Sequence, residues 1–196
     1  MELKEIEKIK ETKGETLGIS LKEDLECIME KEGEEGLKKL EKELENYGYS
    51  LKYKEIKKYS FYPLALEFLI LAVSKEIFNW KDEDIRELGK RDAKFSFVLK
   101  LMLKYFISVK KAISVANEYW RKYYTVGKLI PGKVDEKERF AELMLIDFPG
   151  HPNFCRLLEG FFWQIGSFIV EKENLKVKEI ECPFKGGNCH RFQITW

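Results

Sequence analysis

Histidine is scarce in this chain, with only His151 and His190 among 196 residues. The sequence also has no GxGxxG loop, no GxxxxGK(S/T) loop and no Ser-His-Asp ordering. Dinucleotide binding, P-loop nucleotide binding and triad hydrolysis each depend on one of these patterns. The sequence therefore favours a protein that is not an enzyme, and an enzyme or enzyme accessory stays open as an alternative.

The chain also lacks an excess of charge and a long hydrophobic run. Its 35 basic and 34 acidic residues nearly cancel, which gives no electrostatic case for nucleic-acid binding. The longest apolar run, residues 61–73, is interrupted by Glu67 and is shorter than the roughly 20 residues that span a bilayer. Four cysteines follow no charged-then-apolar leader. We therefore expect a cytoplasmic protein with reduced thiols and no membrane contact.

Apolar residues are plentiful, since 44% of the chain is hydrophobic and 14% is aromatic. This suffices for one globular unit with an appendage. Residues 1–58 predict a helical segment and a candidate dimerisation arm, within which residues 49–59 alternate as a strand would. Residues 59–196 predict a ligand-binding domain. The predicted fold class is α/β of the α+β kind, with helices packed on a small antiparallel sheet.

Three predicted helices carry a candidate ligand pocket. Residues 95–106 and 109–123 show apolar stripes at helical spacing, and residues 153–170 form a third helix. Aromatic rings and a thioether give an adaptable apolar lining with a few polar handles, although a plain aromatic core would use the same residues. The candidate pocket residues are Phe95, Met102, Phe106, Trp120, Tyr123, Tyr124, Phe162 and Phe168. Gly160 and Gly166 each cost roughly 0.5–1 kcal/mol in the third helix, which predicts close approach of a ligand or backbone.

Two β-hairpins are predicted in the second half of the chain. Pro131-Gly132 marks a turn before an apolar strand at 140–148. Residues 175–179 and 192–196 alternate apolar and polar side chains on either side of Gly186-Gly187. These glycines supply the positive φ angles that a tight connection requires.

The last hairpin brings together residues that bind metals. Its turn sets Cys182 near Cys189, and strand alternation places Glu179 on an apolar face, where an unpaired carboxylate is costly to bury. Cys155, in the first turn of the preceding helix, supplies a third sulfur. Three sulfurs and one carboxylate oxygen suit a structural zinc ion. Ordinary reduced cysteines, or a disulfide between Cys182 and Cys189, remain alternatives.

The order Cys155, Glu179-Ile-Glu-Cys182 and Gly186-Gly187-Asn-Cys189-His-Arg-Phe192 resembles the 4-vinyl-reductase-type domain. That domain also serves as the aromatic-effector sensor of phenol- and toluene-responsive transcription activators. The resemblance is evident over residues 124–196 and extends more loosely back to about residue 61. It implies a ligand-binding fold related to haem-based nitric-oxide sensors and to a vesicle-trafficking subunit family. It also implies zinc held by three cysteines and Glu179, and a phenolic hydroxyl bound at Trp120.

These features predict a cytoplasmic sensor or carrier for a small apolar or aromatic molecule, with zinc closing the C-terminal hairpin over the pocket. Because the chain has no ATPase loop, a signal would pass to a separate partner. We expect a homodimer. The alternatives are a reductase-related enzyme or accessory, a haem-based gas sensor with His151 or His190 as axial ligand, and a structural assembly subunit.

Overall fold

A computed structural model of the chain describes residues 3–95 and 108–196, with side chains for all of these except residues 3 and 92–95. Within these ranges the fold is α+β, with seven α-helices, a two-stranded sheet and a four-stranded sheet. The predicted class, helices packed on a small antiparallel sheet, is confirmed. Among the described helices, none combines the length and the apolar character that a membrane crossing requires.

The chain begins with α1 (Leu3–Lys10), which leads through the short strand β1 (Glu15–Leu17) into α2 (Gly18–Asn46). Gly33, at φ 75°, bends α2 where the sequence predicts one helix to end. The predicted strand at 49–59 is wrong, because this segment is a loop with one 3-10 turn, Tyr53–Glu55. The Tyr53 amide and hydroxyl donate to Glu41 and Glu26 of α2, at 2.8 and 2.6 Å. The Tyr53 amide, which could otherwise pair with a neighbouring strand, is therefore bonded to a side chain of α2.

The centre of the molecule is α3. Strand β2 (Phe61–Pro63) pairs with β1 and leads into α3 (Leu64–Ile77), whose residues from Leu64 to Ser74 are all buried. This confirms the predicted buried helix. The predicted polar helix after it is α4 (Asp82–Phe95), whose first turn carries three acidic residues that suit a helix N-terminus. Helix α2 packs against both α3 and α4.

The next part of the chain forms two short helices and a hairpin. Helices α5 (Val109–Ser114) and α6 (Ala116–Tyr123) replace the single helix predicted over 109–123. Strands β3 (Lys128–Asp135) and β4 (Phe140–Ile146) form the predicted hairpin. The predicted turn at Pro131-Gly132 is wrong, because both residues lie within β3 at a register shift. Strand β3 is at an edge of its sheet, where a proline without an N–H is tolerated. The predicted helix over 95–106 lies almost entirely outside the described residues.

Helix α7 (Pro152–Gly166) is followed by β5 (Lys176–Glu181) and β6 (His190–Thr195), which form the predicted second hairpin. The four-stranded sheet has the order β3-β4-β6-β5, with every neighbouring pair antiparallel. At the connection, Gly186 has a positive φ of 84°, as predicted, whereas Gly187 does not have the positive φ that was predicted for it. Gly187 serves a different purpose, since a Cβ there would lie 2.9 Å from the Cys182 amide nitrogen.

Helices α4 and α7 pack with their backbones in contact. A Cβ at Gly160 would lie 1.9 Å from the Arg86 carbonyl oxygen, and one at Gly89 would lie 2.0 Å from the Leu157 carbonyl oxygen. The close approach predicted at Gly160 is therefore to another backbone. One apolar core cluster extends from α1 to β6, so the described part of residues 1–58 packs on the same core as the rest. Their use as a dimerisation arm stays a prediction.

Candidate functional site

Four side chains that can bind a metal converge where β5 and β6 meet α7. They are Cys155, Glu179, Cys182 and His190, all buried, and one ligand atom of each lies within 4.8 Å of the others. His190 Nδ1 is 3.3 Å from Cys155 Sγ and 3.9 Å from Cys182 Sγ. The same nitrogen is 3.0 Å from Glu179 Oε1. Tetrahedral zinc, with bonds of about 2.0–2.3 Å, places its ligand atoms about 3.3–3.8 Å apart. Small shifts would close this group around an ion.

The start of α7 positions the first thiol. His151 caps the helix, because its Nδ1 accepts the Asn153 amide at 3.3 Å, and Pro152 begins the first turn. Proline is favoured there, since its missing N–H would have no partner in the helix. Cys155 therefore lies within the first turn of α7, as the sequence predicts.

The fourth member of the group is His190, whereas the sequence predicted Cys189. Alternation along β6 puts His190 on the buried face with Phe192, and the Cys189 thiol interacts with Glu181 and Arg191 instead. Three of the predicted ligands are brought together: Cys155, Glu179 and Cys182. His190 is two residues before Phe192, so strand alternation places both side chains on the same buried face. This alternation is the sequence signal that would have identified His190.

Arg156 connects this group to a buried ion-pair network. Its guanidinium donates to Glu179 Oε2 and to Glu159 Oε2, both at 2.7 Å. Glu159 also accepts from Arg86 Nε at 2.7 Å and from the Glu179 amide at 2.8 Å. The side chains of Glu159 and Glu179 are 2% and 1% exposed. The network therefore neutralises two buried carboxylates and leaves Glu179 Oε1 facing His190.

Without a cation, the group favours protonated thiols. Burial, followed by the charge of Glu179, raises the pKa of Cys155 well above its ordinary value, and burial raises the pKa of Cys182. Burial alone would raise the pKa of Glu179, but hydrogen bonds from His190 and the two thiols hold it below its usual range. A bound divalent cation would reverse the preference at the thiols, because coordinating thiols lose their protons. All four cysteines are free, so the alternative disulfide is not formed.

Helix α7 also lines a cavity of about 160 Å³. Its other described walls come from α2, α3, α5, α6 and the four-stranded sheet. Apolar lining residues include Val109, Ile113, Leu143, Leu158, Phe161 and Ile165. A cavity of about 150 Å³ with apolar walls can hold benzene. The space therefore matches a ligand with a single ring.

The structure assigns the predicted pocket residues to three groups. Four of them line the cavity: Trp120, Tyr123, Tyr124 and Phe162. Phe168 is 44% exposed and is not among the described lining residues. Met102, Phe106 and the side chain of Phe95 lie outside the part of the chain that the structure describes.

The polar side-chain groups of the described cavity lining include carboxylates, hydroxyls and the Trp120 N–H. The Trp120 N–H donates to the Val126 carbonyl at 2.9 Å, and the Trp120 ring stacks on Tyr124 with centroids 4.3 Å apart. The Tyr124 hydroxyl donates to Glu67 Oε1 at 2.9 Å. Burial, followed by the charges of Glu67 and Asp24, raises the pKa of Tyr124 well above its ordinary value. Sequence reasoning did not place Asp24 or Glu67 in the pocket, although Glu67 interrupts the apolar run at 61–73.

Solved H-NOX proteins, which have the haem NO-binding fold, share this arrangement of elements. A mutant H-NOX protein from S. oneidensis in the Fe(II) ligation state has a TM-score of 0.71 and 11% identity, over 91% of this chain and 95% of that one. An oxygen-binding H-NOX domain related to soluble guanylate cyclases has a TM-score of 0.63 and 12% identity, over 88% of this chain and 90% of that one. A protein solved to study how porphyrin distortion modulates heme redox potential has a TM-score of 0.64 and 14% identity, over 92% of this chain and 99% of that one.

No family model matches the chain, and no curated protein matches it. The predicted likeness of fold to the haem nitric-oxide-binding proteins is confirmed. The assignment to the 4-vinyl-reductase-type domain and to the phenol sensors stays a prediction. Likeness at this level of identity establishes the fold alone. The chain has the H-NOX fold, a ligand-binding fold of the nitric-oxide-signalling type.

Proposed function

We propose that this chain is a cytoplasmic sensor or carrier that binds a small apolar or aromatic molecule in the cavity beside α7, with a structural zinc ion holding the C-terminal hairpin. The observation that supports this function is that α7 carries residues of both the candidate metal group and the cavity lining. Cys155 belongs to the candidate metal group of Cys155, Glu179, Cys182 and His190. Leu158 and Phe162, within the next two turns of the same helix, line the cavity. Binding of a small molecule is also in keeping with the H-NOX neighbours, one of which was solved as an oxygen complex.

A haem-based gas sensor is the second candidate, and the structural neighbours favour it at the level of the fold. One neighbour is described by its Fe(II)NO ligation state and another by its heme redox potential. The histidines of this chain do not fit that role, because neither is among the described residues that line the cavity. His190 belongs to the candidate metal group, and the His151 ring stacks on Phe68 with centroids 5.8 Å apart.

The cavity itself also fits haem poorly. Haem carries propionate groups, yet the described lining has no lysine or arginine to bind them and includes the buried carboxylates of Asp24 and Glu67. For these reasons we place a smaller organic molecule in the cavity.

Titrations with haemin and with toluene separate the two candidates. We expect saturable toluene binding by calorimetry and no Soret band of coordinated haem by absorption spectroscopy. Leu158→Trp fills the cavity and should abolish toluene binding, whereas Phe168→Ala, outside the described lining, should retain it. Thermal unfolding of both variants checks that they fold. A stoichiometric Soret band together with no toluene binding would replace this proposal with the haem sensor.

The proposed zinc ion takes two thiolates, one imidazole and one carboxylate, a donor set that suits zinc. Four protein ligands leave no position for water, so the ion would stabilise the fold and not catalyse a reaction. Arg156, which contacts Glu179 at 2.7 Å, would orient that ligand from outside the coordination sphere. The sulfur ligands would join α7 to the residue that follows β5.

Elemental analysis of the purified chain tests the metal. We expect about one zinc ion per chain in the wild type, and loss of zinc in Cys155→Ala, Cys182→Ala and His190→Ala. Cys189→Ala and Cys27→Ala remove buried thiols outside the group and should keep the zinc. If Cys189→Ala loses zinc and His190→Ala keeps it, the donor set predicted from sequence replaces the one described here.

The remaining parts of the proposal concern assembly. Signals would pass to a separate partner, and the outer faces of residues 1–58 would join two copies of the chain. Light scattering of the full chain over a range of concentrations measures the oligomeric state. A monomer at every concentration would remove the dimer from the proposal and leave the ligand cavity unaffected.

A further inference from the structure

We infer that Glu159 is a positioning residue for the metal, because it holds the ligand Glu179 at both its backbone and its carboxylate. This inference rests on the proposed function, since it concerns the zinc ion proposed for the group of Cys155, Glu179, Cys182 and His190. Its basis is the set of hydrogen bonds by which Glu159 connects α4, α7 and β5.

The first contact holds the backbone of the metal ligand. Strand β5 lies at an edge of its sheet, and the Glu179 amide donates to Glu159 Oε1 at 2.8 Å. Edge strands leave part of their amides without a partner in the sheet, so a side chain can take this role. The pairing of β5 with β6 shifts register between Glu179 and Glu181. The Glu159 contact therefore holds β5 at the point where its pairing is irregular.

The second contact holds the carboxylate of the metal ligand. Arg156 donates to Glu159 Oε2 and to Glu179 Oε2, both at 2.7 Å, so one guanidinium connects the two carboxylates. Because Arg156 binds Glu179 Oε2, the other oxygen, Oε1, is the one that lies 3.0 Å from His190 Nδ1. Contacts outside the coordination sphere commonly orient metal ligands in this way. The pair of Glu159 and Arg156 therefore presents one defined oxygen of Glu179 to the ion.

Arg86 holds Glu159 itself in place. Its Nε donates to Glu159 Oε2 at 2.7 Å from helix α4, and the Glu159 side chain is 2% exposed. The backbones of α4 and α7 are in contact at this point, since a Cβ at Gly160 would lie 1.9 Å from the Arg86 carbonyl oxygen. Two guanidiniums and one amide thus donate to a single buried carboxylate, which compensates its charge and leaves it little freedom to move. A side chain held in this way is suited to position a neighbour.

Competition with a chromophoric chelator measures the zinc affinity of the full chain. Glu159→Gln keeps the size of the side chain but removes the charge that binds both guanidiniums. We expect the zinc affinity of this variant to fall about 10- to 100-fold, the usual effect of losing a contact that orients a ligand. Glu83→Gln is the matched control, because Glu83 contacts Arg86 at 3.1 Å from the exposed side of the network. This control should keep the wild-type affinity.

Cobalt(II) absorption separates positioning of the ligand from a general loss of stability. Cobalt(II) can replace zinc in such sites, and its visible bands depend on the geometry and type of its ligands. Glu179→Ala supplies the reference spectrum of a site without the carboxylate. The bands of Glu159→Gln should shift from the wild-type positions towards this reference, whereas those of Glu83→Gln should not. Weaker folding alone would lower the intensity of the bands without shifting them.

Thermal unfolding checks that each variant folds. If Glu159→Gln does not fold, Glu159→Asp carries the same test, because aspartate keeps the charge but is one methylene too short to reach all three donors. We expect the same direction of change in zinc affinity and in the cobalt spectrum.

The outcomes distinguish this inference from the proposed function. Wild-type zinc affinity in the folded Glu159 variant would overturn the inference and leave the zinc ion in place. A lower affinity with an unshifted cobalt spectrum would also overturn it, because Glu159 would then act only through its charge or through the stability of the fold. A wild-type protein that binds neither zinc nor cobalt would remove the metal from the proposed function, and the inference with it.

Discussion

His151 makes the stability of this protein depend on pH at the scale of a single residue. Burial, followed by the positive charges of Lys75 and Lys8, lowers its pKa from the usual 6.5 to about 4. These effects outweigh the partly exposed Glu5 carboxylate, 3.8 Å from His151 Nε2. Between these two pH values the unfolded chain binds a proton that the folded chain does not. The free energy of unfolding therefore falls as the pH drops from 6.5 to 4, by about 3 kcal/mol.

Urea unfolding at several values from pH 7 to pH 4 measures this effect against a matched variant. His151→Asn keeps a side chain that caps helices well but does not titrate. The stability advantage of the wild type over this variant should shrink by about 3 kcal/mol as the pH falls, because the carboxylates titrate in both proteins. Parallel stability curves for the two proteins would show that His151 is readily protonated in the folded state.

The group formed by Cys155, Glu179, Cys182 and His190 shows how far single residues could be predicted. Alternation along a strand places Glu179 on a buried face, and its side chain is 1% exposed. The same rule places His190 beside Phe192, but a preference for sulfur ligands directed the prediction to Cys189. The register shift of β5 between Glu179 and Glu181 was beyond prediction, because a bulge depends on pairing with the neighbouring strand.

At the scale of elements, the contact between α4 and α7 depends on glycine. A methyl group at Gly160 would lie 1.9 Å from the Arg86 carbonyl, so Gly160→Ala must push two helix backbones apart. We expect a loss of about 3 kcal/mol or more in the free energy of unfolding, at the upper end of the usual cost of overpacking. Chemical denaturation of the wild type and the variant measures it.

Gly166→Ala is the matched control on the same helix. Its nearest neighbours would be the flexible side-chain ends of Leu175, at 3.1 and 3.2 Å. Alanine also forms helices better than glycine by about 1 kcal/mol, so the net change should stay within about 1 kcal/mol. Similar losses in the two variants would mean that flexible side chains resist the added methyl group as strongly as a backbone does.

Elements with a strong local sequence pattern could be predicted, and elements whose conformation depends on distant residues could not. Helix α3 is buried on nearly all sides, and β5 and β6 alternate clearly, so each pattern determined its element. The segment 49–59 also alternates, yet it forms a loop whose Tyr53 amide and hydroxyl donate to carboxylates of α2. Pro131-Gly132 has the composition of a turn, but edge strand β3 accommodates it.

At the scale of the whole molecule, the polar residues of the cavity lining could not be predicted from sequence. Asp24, Glu67 and Tyr124 come from three elements that are widely separated along the chain. No local period relates them, and each taken alone resembles an ordinary surface or core residue. Only the packing of α2, α3 and the end of α6 on one another brings them to one cavity.

Helix α7 carries residues of both proposed sites, so we expect the two sites to depend on each other. Cys155 lies in the candidate metal group, and Leu158, about one turn further along the helix, lies in the cavity lining. If zinc holds the start of α7 in place, its removal should loosen the cavity wall and weaken the binding of toluene. Couplings between sites in proteins commonly amount to about fivefold or more in affinity. Calorimetry of zinc-loaded and chelator-treated protein measures this ratio.

Thermodynamic linkage makes this prediction strict, because toluene must strengthen zinc binding by the same factor by which zinc strengthens toluene binding. Competition of the protein with a zinc chelator, with and without toluene, measures the second ratio. In Cys189→Ala both ratios should match the wild type, since this thiol lies outside the metal group. In Cys155→Ala, toluene affinity should no longer respond to zinc. Two ratios equal to one in the wild type would mean that α7 stays rigid without the metal and that zinc supports only the hairpin.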